Sequence, residues 1–254
     1  MGEEFAKTGE NGHMIKMVIF DKDGTLLDFD SFWVTVASLA VQDMVKALEA
    51  DEGLVTPMLE AMGVENGVTR VDSVLCGGTY EQMGVILWET LTKHGVECDR
   101  DQIVEMTGRF CHDHVGDGVV APTCENIKHV LGSLLADGRS LALVTTDGPR
   151  MTRYCLEKLD IGPYFSAICT DDGMFPPKPD PMCIEVLCEQ FGYTKDEVIM
   201  VGDTMTDVTF AKNGGIRVIA LTKTEEGRAY FAGQADAIVT GIDQVQDVLG
   251  QWEK

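Results

Sequence analysis

Hydrophobic and polar positions along the chain follow two different rhythms. In residues 32–50, 54–62, 80–94 and 102–114 apolar side chains recur every three or four positions, as Met83, Ile86, Leu87 and Leu91 do, and this spacing predicts amphipathic helices. Glycine-rich breaks separate them at Gly53, at 63–67, at Gly77-Gly78 and at Gly95; Pro57 falls near a helix start and Asp99 suits an N-cap. Residues 31–118 therefore read as an inserted four-helix unit. From residue 122 onward, helical stretches at 125–136, 151–159, 181–191, 205–213 and 245–249 alternate with short apolar runs at 141–145, 167–169, 198–201, 218–221 and 237–239. Such runs suit strands buried on both faces, and residues 17–20 supply one more ahead of the insert. The alternation predicts an α/β core over 14–30 and 119–254, a Rossmann-like, mainly parallel sheet with helices on both faces. Residues 1–13 are polar and read as a disordered leader.

Composition narrows the partners. With 20 basic and 42 acidic residues the net charge is -22, so the surface repels nucleic acid and anionic membranes. A phosphorylated ligand would be repelled too unless a metal, a lysine or backbone N–H groups supply local positive charge. Eight cysteines without C-x-x-C spacing suit reduced thiols in a cytoplasmic protein. No apolar run has the length of a membrane span, and the N-terminus lacks a signal-peptide core. The thirteen methionines read as core filler.

The candidate chemistry gathers where strands end. Asp21 and Asp23 follow the first apolar run, with Gly24-Thr25 next. Two carboxylates this close need a cation between them or a proton on one, which suggests a metal site or an acid/nucleophile pair; an Asx-type turn is the plainer alternative. The run at 141–145 ends in Thr145, Thr146 and Asp147; a proline-flanked loop carries Lys178; and the run at 198–201 leads to Gly202, Asp203 and, one helical turn later, Asp207. Together these suit phosphoryl transfer. One carboxylate attacks phosphorus, a second protonates the leaving alcohol, Thr145, Thr146 and Lys178 hold phosphoryl oxygens, Asp203 binds Mg²⁺, and Asp207 orients water on the ion.

In these motifs, D-x-D-G-T at Asp21 to Thr25, the strand ending in Thr145, the K-P pair at Lys178 and G-D-x-x-x-D at Gly202 to Asp207, the chain resembles the haloacid dehalogenase superfamily of hydrolases. The resemblance implies that Asp21 is the nucleophile that forms an aspartyl-phosphate and Asp23 the general acid/base. It further implies Mg²⁺ on Asp21, the Asp23 carbonyl and Asp203. Phosphatases and mutases of that family have the second aspartate, and dehalogenases lack it. An insert between Asp28 and about Ala121 resembles the branch with a helical cap after the first motif, which includes phosphoglycolate phosphatase and β-phosphoglucomutase. The implied activity is a Mg²⁺-dependent phosphatase of a small phosphorylated metabolite, monomeric or homodimeric; a phosphomutase and a non-catalytic phosphate-binding regulator are the rivals.

One departure stands out: Asp147 follows Thr146 where many phosphoglycolate phosphatase-like relatives have asparagine directly after the threonine, adding negative charge beside an anion site. Arg70 and Gly77-Gly78-Thr79, between helices of the insert, are candidate substrate contacts. In Cys111-His112-Asp113-His114 the two histidines of a helix point about 200° apart, so the cluster reads as an exposed helix end and not a metal site. Asp171-Asp172 reads as a solvated turn.

Overall fold

The computed structural model describes residues 14–254, so the leader expected over 1–13 lies outside the described residues. Strand β1 (Met17–Phe20) leads into the insert, where a π-helical turn at Asp30–Val34 precedes α1 (Thr35–Ala47) and α2 (Val55–Ala61). A hairpin of β2 (Val64–Glu65) and β3 (Val68–Thr69) follows, then α3 (Val74–Gly77), α4 (Tyr80–Lys93) and α5 (Arg100–His114). The chain then alternates through α6 (Ile127–Ala136), β4 (Ser140–Val144), α7 (Pro149–Leu159), β5 (Ala167–Cys169) and α8 (Met182–Phe191). It finishes with β6 (Val198–Gly202), α9 (Met205–Gly214), β7 (Arg217–Leu221), α10 (Glu225–Phe231), β8 (Ala237–Val239) and α11 (Val245–Trp252).

Among the described residues, six strands form one parallel sheet in the order β5-β4-β1-β6-β7-β8. Because successive strand side chains point to opposite faces, Val18 and Phe20 join Leu141, Leu143, Ile199 and Val201 under α6, α7 and α11. Met17 and Ile19 join Ala142, Val144, Val198 and Met200 under α8, α9 and α10. The four central strands, β4, β1, β6 and β7, are buried on both faces, which is why each reads as an apolar run, whereas edge strand β5 leaves Ile168 exposed. Truncating a fully buried ring such as Phe20 to alanine would cost roughly 3–5 kcal/mol.

The helices of the insert bury their stripes against one another. Val41, Met44, Met58, Leu87, Leu91 and Ile103 form a core separate from the two sheet faces, and five methionines, Met44, Met58, Met62, Met83 and Met106, fill it. The predicted N-cap at Asp99 accepts from Gln102 N at 2.9 Å, and Thr79 and Gln82 close a capping box on α4. Gly84 lets α4 approach α5, since a Cβ there would lie 2.6 Å from Val104 Cα. The two segments that join insert and sheet run side by side, with Asp28 N donating to Ala121 O at 2.8 Å and Val119 N to Ser31 O at 3.3 Å.

The structure adds to the predicted elements where they are short. The β2–β3 hairpin occupies the stretch read only as a glycine-rich break, and α10, capped by Thr224, extends what Tyr230-Phe231 alone suggested. Among the described residues, no helix is long and apolar enough to cross a membrane.

Candidate active site

The chain leaves β1, builds β4 and β5 on one side, and returns to place β6 on the other, so a crevice opens at the carboxyl end of β1. Phe20 is in register with Val201, and Asp21 N donates to Val201 O at 2.9 Å, which sets Asp21 beside Gly202 and one residue short of Asp203. The intervening loop turns sharply at Gly24, whose φ is +74°; a Cβ there would collide with the Asp203 carboxylate, so only glycine lets the two loops close on each other.

Four of the predicted residues converge. Lys178 Nζ, buried, lies 2.5 Å from Asp21 Oδ1 and 2.6 Å from Asp207 Oδ1. Asp207, fully buried, also accepts from Thr204 Oγ1 at 2.7 Å and Thr204 N at 3.1 Å, so the acid that completes the capping box of Thr204 on α9 also anchors the lysine. Asp203 accepts from Thr25 Oγ1 at 3.1 Å. Asp21, Asp203 and Asp207 each bring a carboxylate oxygen within 4.8 Å of the others.

Three carboxylates, two buried and that of Asp203 half-buried, outnumber the one ammonium among them. Burial pushes the Asp21 carboxyl up to about 7 against the pull of Lys178, with Asp207 and Asp23 adding to the rise. Burial, then Asp21 and Asp207, holds Asp203 well above the usual carboxylate range. For Lys178, burial opposes the charge, but Asp207 and Asp21 outweigh it and raise the ammonium above the ordinary lysine range. An oxygen-lined, over-acidic pocket of this kind fits a hard divalent cation.

Asp23 turns the other way. Lys22, 1% exposed, places Nζ 2.7 Å from Asp23 Oδ1, 2.6 Å from Oδ2 and 3.0 Å from Asp147 Oδ2, while Trp33 Nε1 donates to Asp23 Oδ1 at 3.1 Å. The extra negative charge that Asp147 brings is thus met by a buried lysine. Thr145 is buried at the end of β4 and its hydroxyl accepts from Asp147 N at 3.2 Å, whereas Thr146 is exposed.

Arg70 stands apart from this cluster. It follows β3, pairs with Glu65 at 2.8 Å and Asp72 at 3.3 Å, and lines a cavity of about 470 Å³ whose other walls include Gly24, Asp203 and Lys223. Of the cysteine-histidine cluster, Cys111 is buried, His112 is exposed, and His114 sits between Asp43 at 2.9 Å and Asp117 at 2.8 Å. All eight cysteines are free thiols.

Sequence reasoning passed over Lys22, Thr25, Trp33 and Thr204 as individual participants. Lys22 and Thr25 were within reach, since they lie inside the D-x-D-G-T motif; Trp33 carried no local signal, being one aromatic among the apolar positions of a helix.

The family model for haloacid dehalogenase-like hydrolases matches residues 78–221, and the chain belongs to that family. The chain is 29% identical over 239 residues to a phosphoglycolate phosphatase of Vibrio parahaemolyticus, covering 92% of this chain and 96% of that one. To a phosphoglycolate phosphatase of Escherichia coli O157:H7 it is 26% identical over 242 residues, covering 93% of each. The fold is shared with a predicted phosphoglycolate phosphatase of Haemophilus somnus, at a TM-score of 0.68 and 22% identity over 92% of this chain and 97% of that one. It is shared also with L-2-haloacid dehalogenase of Xanthobacter autotrophicus, at a TM-score of 0.56 and 20% identity over 93% and 99%.

Proposed function

We propose that the protein is a divalent-cation-dependent phosphatase that hydrolyses a small phosphomonoester through an aspartyl-phosphate on Asp21. The observation that carries this reading is the separation of the two motif aspartates: Asp21 faces Asp203 and Lys178, while Asp23, two residues on, is held by Lys22 and Trp33. Two neighbouring carboxylates with different partners suit two different tasks.

Asp21 attacks phosphorus as the ester P–O bond breaks, and Asp23 gives its proton to the departing alkoxide. Asp23 then takes a proton from a water whose oxygen attacks the same phosphorus, the Asp21–phosphorus bond breaks, and phosphate leaves. Lys178 and Thr145 hold phosphoryl oxygens, and Thr204 keeps Asp207, and through it Lys178, in place. Asp21, Asp203 and the Asp23 carbonyl would hold Mg²⁺, whose charge would offset that of the transferring phosphoryl group, with Asp207 behind them.

The helical unit of residues 31–118 acts as a cap. Its Thr69, Arg70 and Cys76 line the same cavity as Gly24 and Asp203, which has room for a small leaving group. The likeness to phosphoglycolate phosphatases favours a compact phosphorylated acid as the substrate. The test is a panel of phosphorylated metabolites with wild type and Asp21→Asn, each with Mg²⁺ and with chelator. Free phosphate from wild type with Mg²⁺ alone is the expected result. An isomeric phosphate ester in its place would assign a mutase, and turnover by Asp21→Asn near the wild-type rate would remove Asp21 from the chemistry.

A further inference from the structure

Between the two motif aspartates stands a lysine whose surroundings are unlike those of a surface cation. The Lys22 side chain is 1% exposed, and its ammonium lies 5.9 Å from the Phe32 ring centroid in a region where Leu27, Phe32 and Cys155 are themselves buried. Burying an ammonium among apolar groups is costly unless its donors are used. Here one donor goes to Asp23 Oδ1 at 2.7 Å, while Asp23 Oδ2 at 2.6 Å and Asp147 Oδ2 at 3.0 Å pair with the ammonium by charge, the Asp147 oxygen being buried without a hydrogen-bond donor of its own.

We propose that Lys22 is the positioning residue for Asp23, with Asp147 as the anchor that fixes the lysine and Trp33 as a second donor from the cap side. The inference rests on the reading of Asp23 as the proton-transfer carboxylate.

Three geometric facts support it. The ammonium reaches both Asp23 oxygens, at 2.7 and 2.6 Å, and so fixes the distance of the carboxylate, while the indole donor on Oδ1 at 3.1 Å fixes the rotation of its plane. Trp33 approaches Oδ1 from the π-helical turn that opens the insert, so the carboxylate is held between the sheet loop and the first turn of the cap. Asp147 is contributed by the loop after β4, the neighbouring strand, so Lys22 ties the loops of two adjacent strands together. One lysine with two carboxylates also stays paired while Asp23 hands a proton to the leaving group and takes one back from water.

The arrangement predicts a defect in leaving-group protonation and not in binding. Removing Lys22 alone would strand Asp147 as well as Asp23, whereas neutralising Lys22 and Asp147 together leaves only Asp23, still held by Trp33, without its cation. The test therefore uses the full chain carrying Lys22→Met/Asp147→Asn, assayed on p-nitrophenyl phosphate and on phosphoglycolate or glycerol phosphate, whichever the wild type turns over. General acid catalysis by a positioned side chain contributes on the order of 10²–10⁴-fold, so loosening it should lower kcat on the alkyl ester by about tenfold or more. On the aryl ester, whose leaving group needs little proton help, the loss should stay below about threefold, with KM for both changed by less than about twofold.

Trp33→Phe removes only the indole donor and keeps an aromatic side chain; it should show the same selectivity at smaller size, and it stands in if the double variant does not fold. Equal fractional losses on both esters, or no loss on either, in a variant with wild-type circular dichroism would overturn the inference. Asp21→Asn run alongside separates the two levels: inactive on both esters, it leaves the phosphatase reading standing whatever Lys22 does; active on both, it removes that reading.

Discussion

Lys178 Nζ lies 2.5 Å from Asp21 Oδ1, and the same ammonium is 2.6 Å from Asp207 Oδ1, so a single cation from a proline-flanked loop ties the carboxyl end of β1 to the start of α9. Removing it would leave two buried carboxylates facing each other without a counter-charge. Lys178→Met should destabilise the protein by roughly 3–5 kcal/mol and lower kcat on every phosphomonoester by more than tenfold, as breaking one side of a buried pair does. Urea unfolding and steady-state kinetics check this together; an unchanged unfolding midpoint would mean that the lysine's pairing contributes nothing to the fold.

Stability should respond to pH and to divalent cation jointly. The folded-state value for Asp21 is about 7, well above an ordinary carboxylate, and Asp203 is raised as well. The folded protein therefore keeps protons that the unfolded chain releases, and stability of the cation-free protein falls as pH rises from about 4 to about 7. A bound cation replaces those protons, so the rise in Tm on adding Mg²⁺ should be larger at about pH 8 than at about pH 5.5. Calorimetry with and without chelator measures it, and Asp203→Asn should flatten the difference. A cation-induced shift of the same size at both pH values would contradict the assignment of these carboxylates to the cation.

Gly24 supplies a test that leaves the ligands themselves in place. A methyl group there would meet the Asp203 carboxylate, and the residue's φ of +74° disfavours any side chain. Gly24→Ala should raise the Mg²⁺ concentration for half-maximal activity several-fold and lower stability by about 1–3 kcal/mol. Metal titrations of activity and of Tm read both, and unchanged values would show that the loop relaxes around the new carbon.

How much of this was legible in the sequence depended on how many residues each feature spans. The sheet was readable because its central strands are buried on both faces, so Met17–Phe20 and Val198–Gly202 appear as continuous apolar runs ending in acids. The insert helices were readable because one stripe of each faces a common core. The β2–β3 hairpin was not, since Val64–Glu65 and Val68–Thr69 are too short for a period-two signal and Gly63 and Gly67 dominate their surroundings. In the site, spacing identified Asp21, Asp203, Asp207 and Lys178 as a group. The Lys22–Asp147 pair was hidden because it joins loops of two different strands, and a lysine between two aspartates reads locally as a solvated charge.

The central claim is that phosphorus passes through Asp21, and the most direct measurement is an acid-quenched single turnover with a radiolabelled phosphomonoester that the protein hydrolyses, followed by mapping of the label. The expected result is label bound covalently to the peptide that contains Asp21, formed with Mg²⁺, absent with chelator and absent in Asp21→Asn. Label on a different residue, or phosphate release at the full rate with no protein-bound label at any quench time, would contradict it.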